Sequence, residues 1–412
     1  MGSDSTMRET SEINMKALRF TVLAWFLASS SAQAVTIDLV TIGNAGNAPD
    51  PRPSAFDILR GSVAYVYQIG KYEVTAGQYA EFLNAVADAD PNGLYHATMG
   101  DTDPDGPRGA NIQRTGSSPN YCYSVAADWA NRPVNYVSFW DAARFANWLH
   151  NGQPTGAQGP GTTEDGAYLN VGNQATFARQ PGAKFFIPTV DEWYKAAYHD
   201  KTAGLAATYF NYATGSNVLP GRDITESIDP GNNANYNIGG THTIGKPYYR
   251  TEVGEFELSD SPYGTFDQGG NVREWNETAS ESSYRGIRGG AFNKNSSYLH
   301  ASPSENDVPT TENLSLGFRV ASLTLVSGDF NNNGTVDAAD LTLWKAGFGG
   351  AGSATPMQGD ADGDLDVDGA DFLIWQRSYT TPIPPTAVPE PSSIVVLLIA
   401  LSMLRSHASK PG

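Results

Sequence analysis

Two twelve-residue stretches near the C-terminal end constrain what this 412-residue chain can fold into more than any other feature. DFNNNGTVDAAD begins at Asp329 and sets oxygen-bearing side chains at loop positions 1, 3, 5, 9 and 12, namely Asp329, Asn331, Asn333, Asp337 and Asp340. Gly334 falls at position 6, where such a loop turns sharply, and Thr335 offers its backbone carbonyl at position 7. DADGDLDVDGAD repeats the pattern 31 residues later with Asp360, Asp362, Asp364, Asp366, Asp368 and Asp371. Between residues 329 and 371 nine acidic residues stand against one basic residue, Lys345, a local charge of −8. Carboxylates at this density repel one another unless a cation neutralises them. The spacing suits a hard ion such as calcium, which collects about six to eight oxygens around a tight loop.

This ligand order is that of an EF-hand loop. Each loop runs into a short apolar stretch, LTLW at 341–344 and FLIW at 372–375, so the repeat unit is loop plus helix, twice. The pair resembles a dockerin repeat. Both loops end in aspartate rather than the bidentate glutamate of most EF-hands, and Leu365 stands at position 6 of the second, where it must adopt an awkward backbone angle. The resemblance implies calcium as the bound ion and a cohesin-like protein as partner. A calcium-stiffened spacer is the alternative role, and an acidic solvated linker the bland reading of the same residues.

The rest of the chain is acidic too: 44 Asp and Glu against 26 Lys and Arg give a net charge of −18, with no basic patch to receive nucleic acid. A single cysteine, Cys122, excludes an intramolecular disulfide or a thiol-pair metal site. It is expected to be a small buried thiol.

Both ends read as addresses. From Met15, MKALRFTVLAWFLASSSAQA supplies basic Lys16 and Arg19, an apolar run from Phe20 to Ala28, and a small-residue cleavage site at Ala32-Gln33-Ala34. Residues 1–34 are therefore expected to be a signal peptide with its natural start at Met15, and the protein exported. At the other end, Pro389-Glu390-Pro391 precedes an apolar run from Ile394 to Leu404 and a tail with Arg405, His407 and Lys410. Residues 388–412 resemble a PEP-CTERM sorting signal, which implies cutting by a membrane exosortase and a cell-envelope location. A retained C-terminal anchor is the alternative.

Between the ends lie a large domain (35–325), the double-loop module (326–380) and a Pro/Thr linker (381–387). The large domain is rich in Gly, Asn, Tyr and Trp and shows three convincing helices. One opens at Thr75, with Tyr79, Phe82, Leu83 and Val86 on one face. A second follows the Ser138/Asp141 capping pair and stops at Gly152, and a third follows Thr189/Glu192. Asp191 and Glu192 read as first-turn capping residues. Short strand signals appear at 63–69 and 318–326. The pattern predicts a mixed α+β domain with much irregular structure.

Six segments, GKYEVTAGQYAEFLNAV (70–86), RPVNYVSFWDAARFANWL (132–149), FFIPTVDEWYKAAY (185–198), SPYGTFDQGGNVREW (261–275), RGGAF (288–292) and LGFRVA (316–321), resemble in this order the blocks of the formylglycine-generating enzyme, or sulfatase-modifying factor, family. The resemblance implies a C-type-lectin-like α+β scaffold. Active members oxidise a substrate cysteine with oxygen, using two cysteines that bind copper. Those cysteines fall here on Lys294 and Leu299, and an active-site serine on Ala291. An ammonium and an isobutyl group cannot replace thiolates on copper(I), so no copper and no formylglycine generation are expected. A calcium site in the family's Gly-Asn block maps onto Asn271 and Glu274, with Arg273 in place of the usual tryptophan and near any cation held there. A glycine-permitted turn with a structural Asn is the equal alternative.

No other chemistry is legible: the histidines lack metal spacing, and neither a GxSxG elbow nor a phosphate loop occurs. The sequence therefore points to an exported, calcium-stabilised binding or structural protein, with an envelope glycan or a cohesin-like protein as ligand. An oxidoreductase using non-standard residues is the alternative.

Overall fold

A computed structural model describes residues 34–379, apart from 53–58, 102–108, 226–228, 281–282, 324–325, 332 and 353. The expected leader, except for its last residue, and everything from 380 onward, including the linker and the sorting signal, lie outside the described residues. Among the described residues no helix is long and apolar enough to cross a membrane.

In chain order the main elements are β1 (Leu39–Ile42), β2 (Tyr67–Gly70), α1 (Ala76–Val86), β3 (Ile112–Thr115), β4 (Cys122–Val125), α2 (Phe139–His150), β5 (Phe185–Phe186), α3 (Val190–Tyr198), β6 (Arg273–Ser280), β7 (Tyr284–Arg288), β8 (Glu305–Asp307), β9 (Leu316–Gly317), β10 (Ala321–Ser322), α4 (Ala338–Gly347) and α5 (Gly369–Ser378). One sheet has the order β1-β2-β10-β5 and a second β8-β7-β6-β9, in which β6 and β9 run parallel. The fold is α+β, with long irregular stretches joining short strands.

The three expected helices form where their caps place them. Thr75, Ser138 and Thr189 each accept the N3 amide, while Gln78, Asp141 and Glu192 reach back to the cap amide, completing three capping boxes. On α1 the expected face of Tyr79, Phe82, Leu83 and Val86 is buried, together with Ala76 and Ala80. Phe82 and Phe145 meet edge to face at 5.2 Å, and Phe145 meets Phe318 at 5.4 Å, which ties α1, α2 and the segment before β10 into one core. Each fully buried ring of this kind contributes roughly 1.5–3 kcal/mol.

The strand expectations were too long. Of 63–69 only the end enters β2, and among the described residues of 318–326 only Ala321–Ser322 forms regular strand. Hydrogen bonding nevertheless continues outside the ladder, since Phe318 and Val320 carbonyls accept the amides of Val74 and Gly70 at 2.9 and 2.8 Å. Cys122 also departs from expectation: its thiol is exposed. Residues on β4 alternate between faces, and Tyr123 takes the interior position, so Cys122 and Ser124 point outward.

Candidate functional site

The two aspartate-rich loops precede α4 and α5, and Asp337 and Asp368 are the caps of those helices. In each loop the first carboxylate closes the turn: Gly334 N donates to Asp329 Oδ2 at 2.7 Å, and Leu365 N donates to Asp360 Oδ2 at 3.1 Å. The last one ties the loop to its helix. Asp340 accepts from Asn331 and Asp337 amides at 3.0 and 2.8 Å, and Asp371 from Ala361 and Asp368 amides at 2.7 Å each. Asn333 Oδ1 accepts the Thr335 amide at 2.9 Å. Asp329, Asp340, Asp360 and Asp371 are buried, Asp366 is half-buried, and Asp362, Asp364 and Asp368 are exposed.

This donor set fits a hard cation. One oxygen from each of Asp360, Asp362 and Asp364 lies within 4.8 Å of the others, and the same holds for Asp366, Asp368 and Asp371. Asp366 Oδ1 is enclosed with no hydrogen-bond donor. Partial desolvation, followed by repulsion from neighbouring carboxylates, pushes the Asp362 and Asp366 carboxyls up. The first loop replaces two carboxylates by the amides of Asn331 and Asn333, which lowers its charge without removing oxygens. Leu365 does adopt the left-handed region, with φ +72°, where Gly334 has φ +90°.

The second candidate region lies along β6. Asn271 is buried, and its Oδ1 accepts from Thr251 N and Asn235 Nδ2, both at 3.1 Å. Glu274 is wholly buried but not free for a cation. Arg319 donates to it through Nε (2.6 Å) and Nη2 (2.7 Å), and Trp193 Nε1 adds a third bond at 2.8 Å. A guanidinium already supplies the positive charge, so the expectation for Glu274 is corrected to a buried ion pair. Arg273, expected near any cation there, instead points to the other face of β6, where it meets Glu305 and Ser315. Sequence reasoning passed over Glu73, which is buried beside this pair, and Asp267, which is half-buried there. Burial pushes Asp267 up to about 6, and burial with Asp267 and Glu274 nearby pushes the Glu73 carboxyl well above its usual range. Both residues stand inside the quoted blocks, but nothing in their spacing separates a buried glutamate from a surface one.

The residues around Ala291, Lys294 and Leu299 are packed and paired. Ala291 and Leu299 are fully buried, Ala291 against Tyr249 and Phe292, Leu299 against Ala234 and Tyr236. Lys294 Nζ lies 3.3 Å from Glu305 Oε1, the same oxygen that Arg273 Nη1 reaches at 3.3 Å, and sits 4.6 Å from the Tyr298 ring centre. Two cations share one carboxylate there.

An α+β scaffold with few regular strands, joined to a twin-loop cation module, defines the class. The Sulfatase-modifying factor enzyme 1-like domain matches residues 60–323, and the Dockerin type I domain matches residues 327–378. The chain belongs to the sulfatase-modifying factor enzyme 1-like family and carries a dockerin type I module after that domain. Among solved structures it is similar to CarF (20% identity, 70% of this chain and 99% of that one, TM-score 0.45). It is similar also to Treponema denticola variable protein 1 (22%, 71% and 97%, 0.42) and to PvdO from Pseudomonas aeruginosa (17%, 70% and 92%, 0.37). No curated protein matches the chain.

Proposed function

We propose that this protein is an exported, cell-envelope-associated binding or structural protein, in which a noncatalytic sulfatase-modifying-factor scaffold (35–325) is joined to a calcium-stabilised dockerin module (326–380). The observation that carries the noncatalytic part is the Lys294–Glu305–Arg273 ion cluster beside buried Leu299 and Ala291. The positions that hold thiolates and serine in active relatives are occupied by an ammonium already engaged with a carboxylate and by two packed aliphatic groups. Copper(I) finds no soft ligand there.

Calcium is the ion for the module, held by Asp329, Asn331, Asn333, the Thr335 carbonyl, Asp337 and Asp340 in the first loop. In the second, Asp360, Asp362, Asp364, Asp366, Asp368 and Asp371 hold it. Dockerin modules bind cohesin partners, so a cohesin-like protein is the partner of this one, and an envelope glycan is the ligand for the large domain. The leader and the PEP-CTERM-like tail direct export and exosortase processing.

The test is direct. The protein is incubated with copper, oxygen and a CxPxR peptide, and the product is assayed for aldehyde. None is expected, and formation of aldehyde would return the domain to the oxidases.

A further inference from the structure

The two cation loops are near copies, yet the large domain meets only one of them at position 6. A methyl group added to Gly334 would lie 3.0 Å from Val66 Cγ2, 3.6 Å from Val66 Cβ and 3.9 Å from Val66 Cγ1, so the valine side chain rests directly on the turn of the first loop. The first of these approaches is tighter than nine in ten contacts of a real Cβ, and the other two are ordinary van der Waals contacts. In the second loop the same position is Leu365, whose side chain is 52% exposed.

The chain path explains why the first loop comes to Val66. Val66 immediately precedes β2, and β2 pairs antiparallel with β10, the last strand before the module, through Ala321↔Ile69 and Ser322↔Gln68. The chain therefore leaves the sheet alongside the residues that lead into β2, and Asp329 begins the loop seven positions after Ser322. So short a tether holds the loop close to its docking point.

We infer that the first calcium loop docks on its own large domain, with Gly334 against Val66, and that calcium bound there stabilises the start of β2. The second loop is left facing outward for a partner. Glycine at position 6 is then a matter of close approach rather than of loop conformation alone. The second loop supports this: it makes the same amide bond from position 6 to the first carboxylate with a leucine at φ +72°. A leucine at 334 is thus compatible with the loop but crowds the Val66 methyl at the contact. The inference rests on reading these loops as calcium sites.

Hydrogen exchange of the full chain with calcium and with chelator tests it. Calcium is expected to slow exchange of amides in 63–70 by about fourfold, the equilibrium effect of covering one methyl-sized group of Val66. Gly334→Leu and Val66→Asp should each remove that slowing, and Leu365→Gly should keep it. If Gly334→Leu abolishes calcium binding itself, Val66→Asp decides, because it alters neither loop. Calcium-dependent protection confined to 327–378 in the wild-type chain, or retained at 63–70 in Val66→Asp, overturns the docking while leaving the calcium sites intact. No calcium effect anywhere overturns both.

Discussion

Arg319 and Glu274 form a two-point ion pair, Nε to Oε2 at 2.6 Å and Nη2 to Oε1 at 2.7 Å, with neither side chain reaching solvent. Arg319 extends from the segment between β9 and β10, and its other donors hold the carbonyls of Gly70, Lys71 and Phe266. One guanidinium thus connects the two sheets. Glu274→Gln leaves that cation buried with its carboxylate partner gone, and a loss of about 3–5 kcal/mol in urea denaturation is expected. The double change Glu274→Leu with Arg319→Met should recover part of the loss, since no charge then remains to be desolvated.

Calcium should raise the thermal transition of the dockerin module and chelator should lower it, because the folded loops crowd carboxylates that the unfolded chain keeps apart. At a calcium concentration one hundred times the dissociation constant the gain is about 2.7 kcal/mol. Asp364→Ala removes one of the three converging oxygens of the second loop and should weaken its affinity by about tenfold in calorimetric titration. Superimposable melts with calcium and chelator are the outcome that contradicts this.

Cys122 should react with a maleimide in the native protein at the rate of a free thiol, without denaturant, since it faces outward from β4. Mass spectrometry of the labelled chain gives the answer. A thiol that labels only after unfolding would restore the buried placement.

Burial, with Asp141 and Asp90 nearby, pushes the Glu312 carboxyl up to about 8. A carboxyl raised in the fold binds its proton more tightly folded than unfolded. Its stabilising contribution is therefore full below about pH 4.5 and is lost as the pH rises toward 8. Glu312→Gln should flatten that decline. After discounting for its partial exposure the gain at pH 8 is about 1 kcal/mol, or about 2 °C in melting temperature. Melting curves at pH 5, 6.5 and 8 compare the two proteins.

Much of this fold could be read from local sequence because its determinants are local. Capping pairs sit three residues apart, the apolar face of α1 repeats with the helical turn, and the loop ligands occupy fixed positions within twelve residues. The strands were harder: β5, β9 and β10 are two residues each, too short to show alternation, and they exist because distant segments pair with them.

By itself the sequence determined the family, the three long helices of the large domain and the twin loops. Tertiary structure alone decided that Glu274 belongs to Arg319, that Arg273 and Lys294 share Glu305, that Cys122 faces out, and that Gly334 comes against Val66. Those facts depend on which of several chemically suitable partners comes within about 3–4 Å, a distance set by the path of the whole chain and not by any stretch of it.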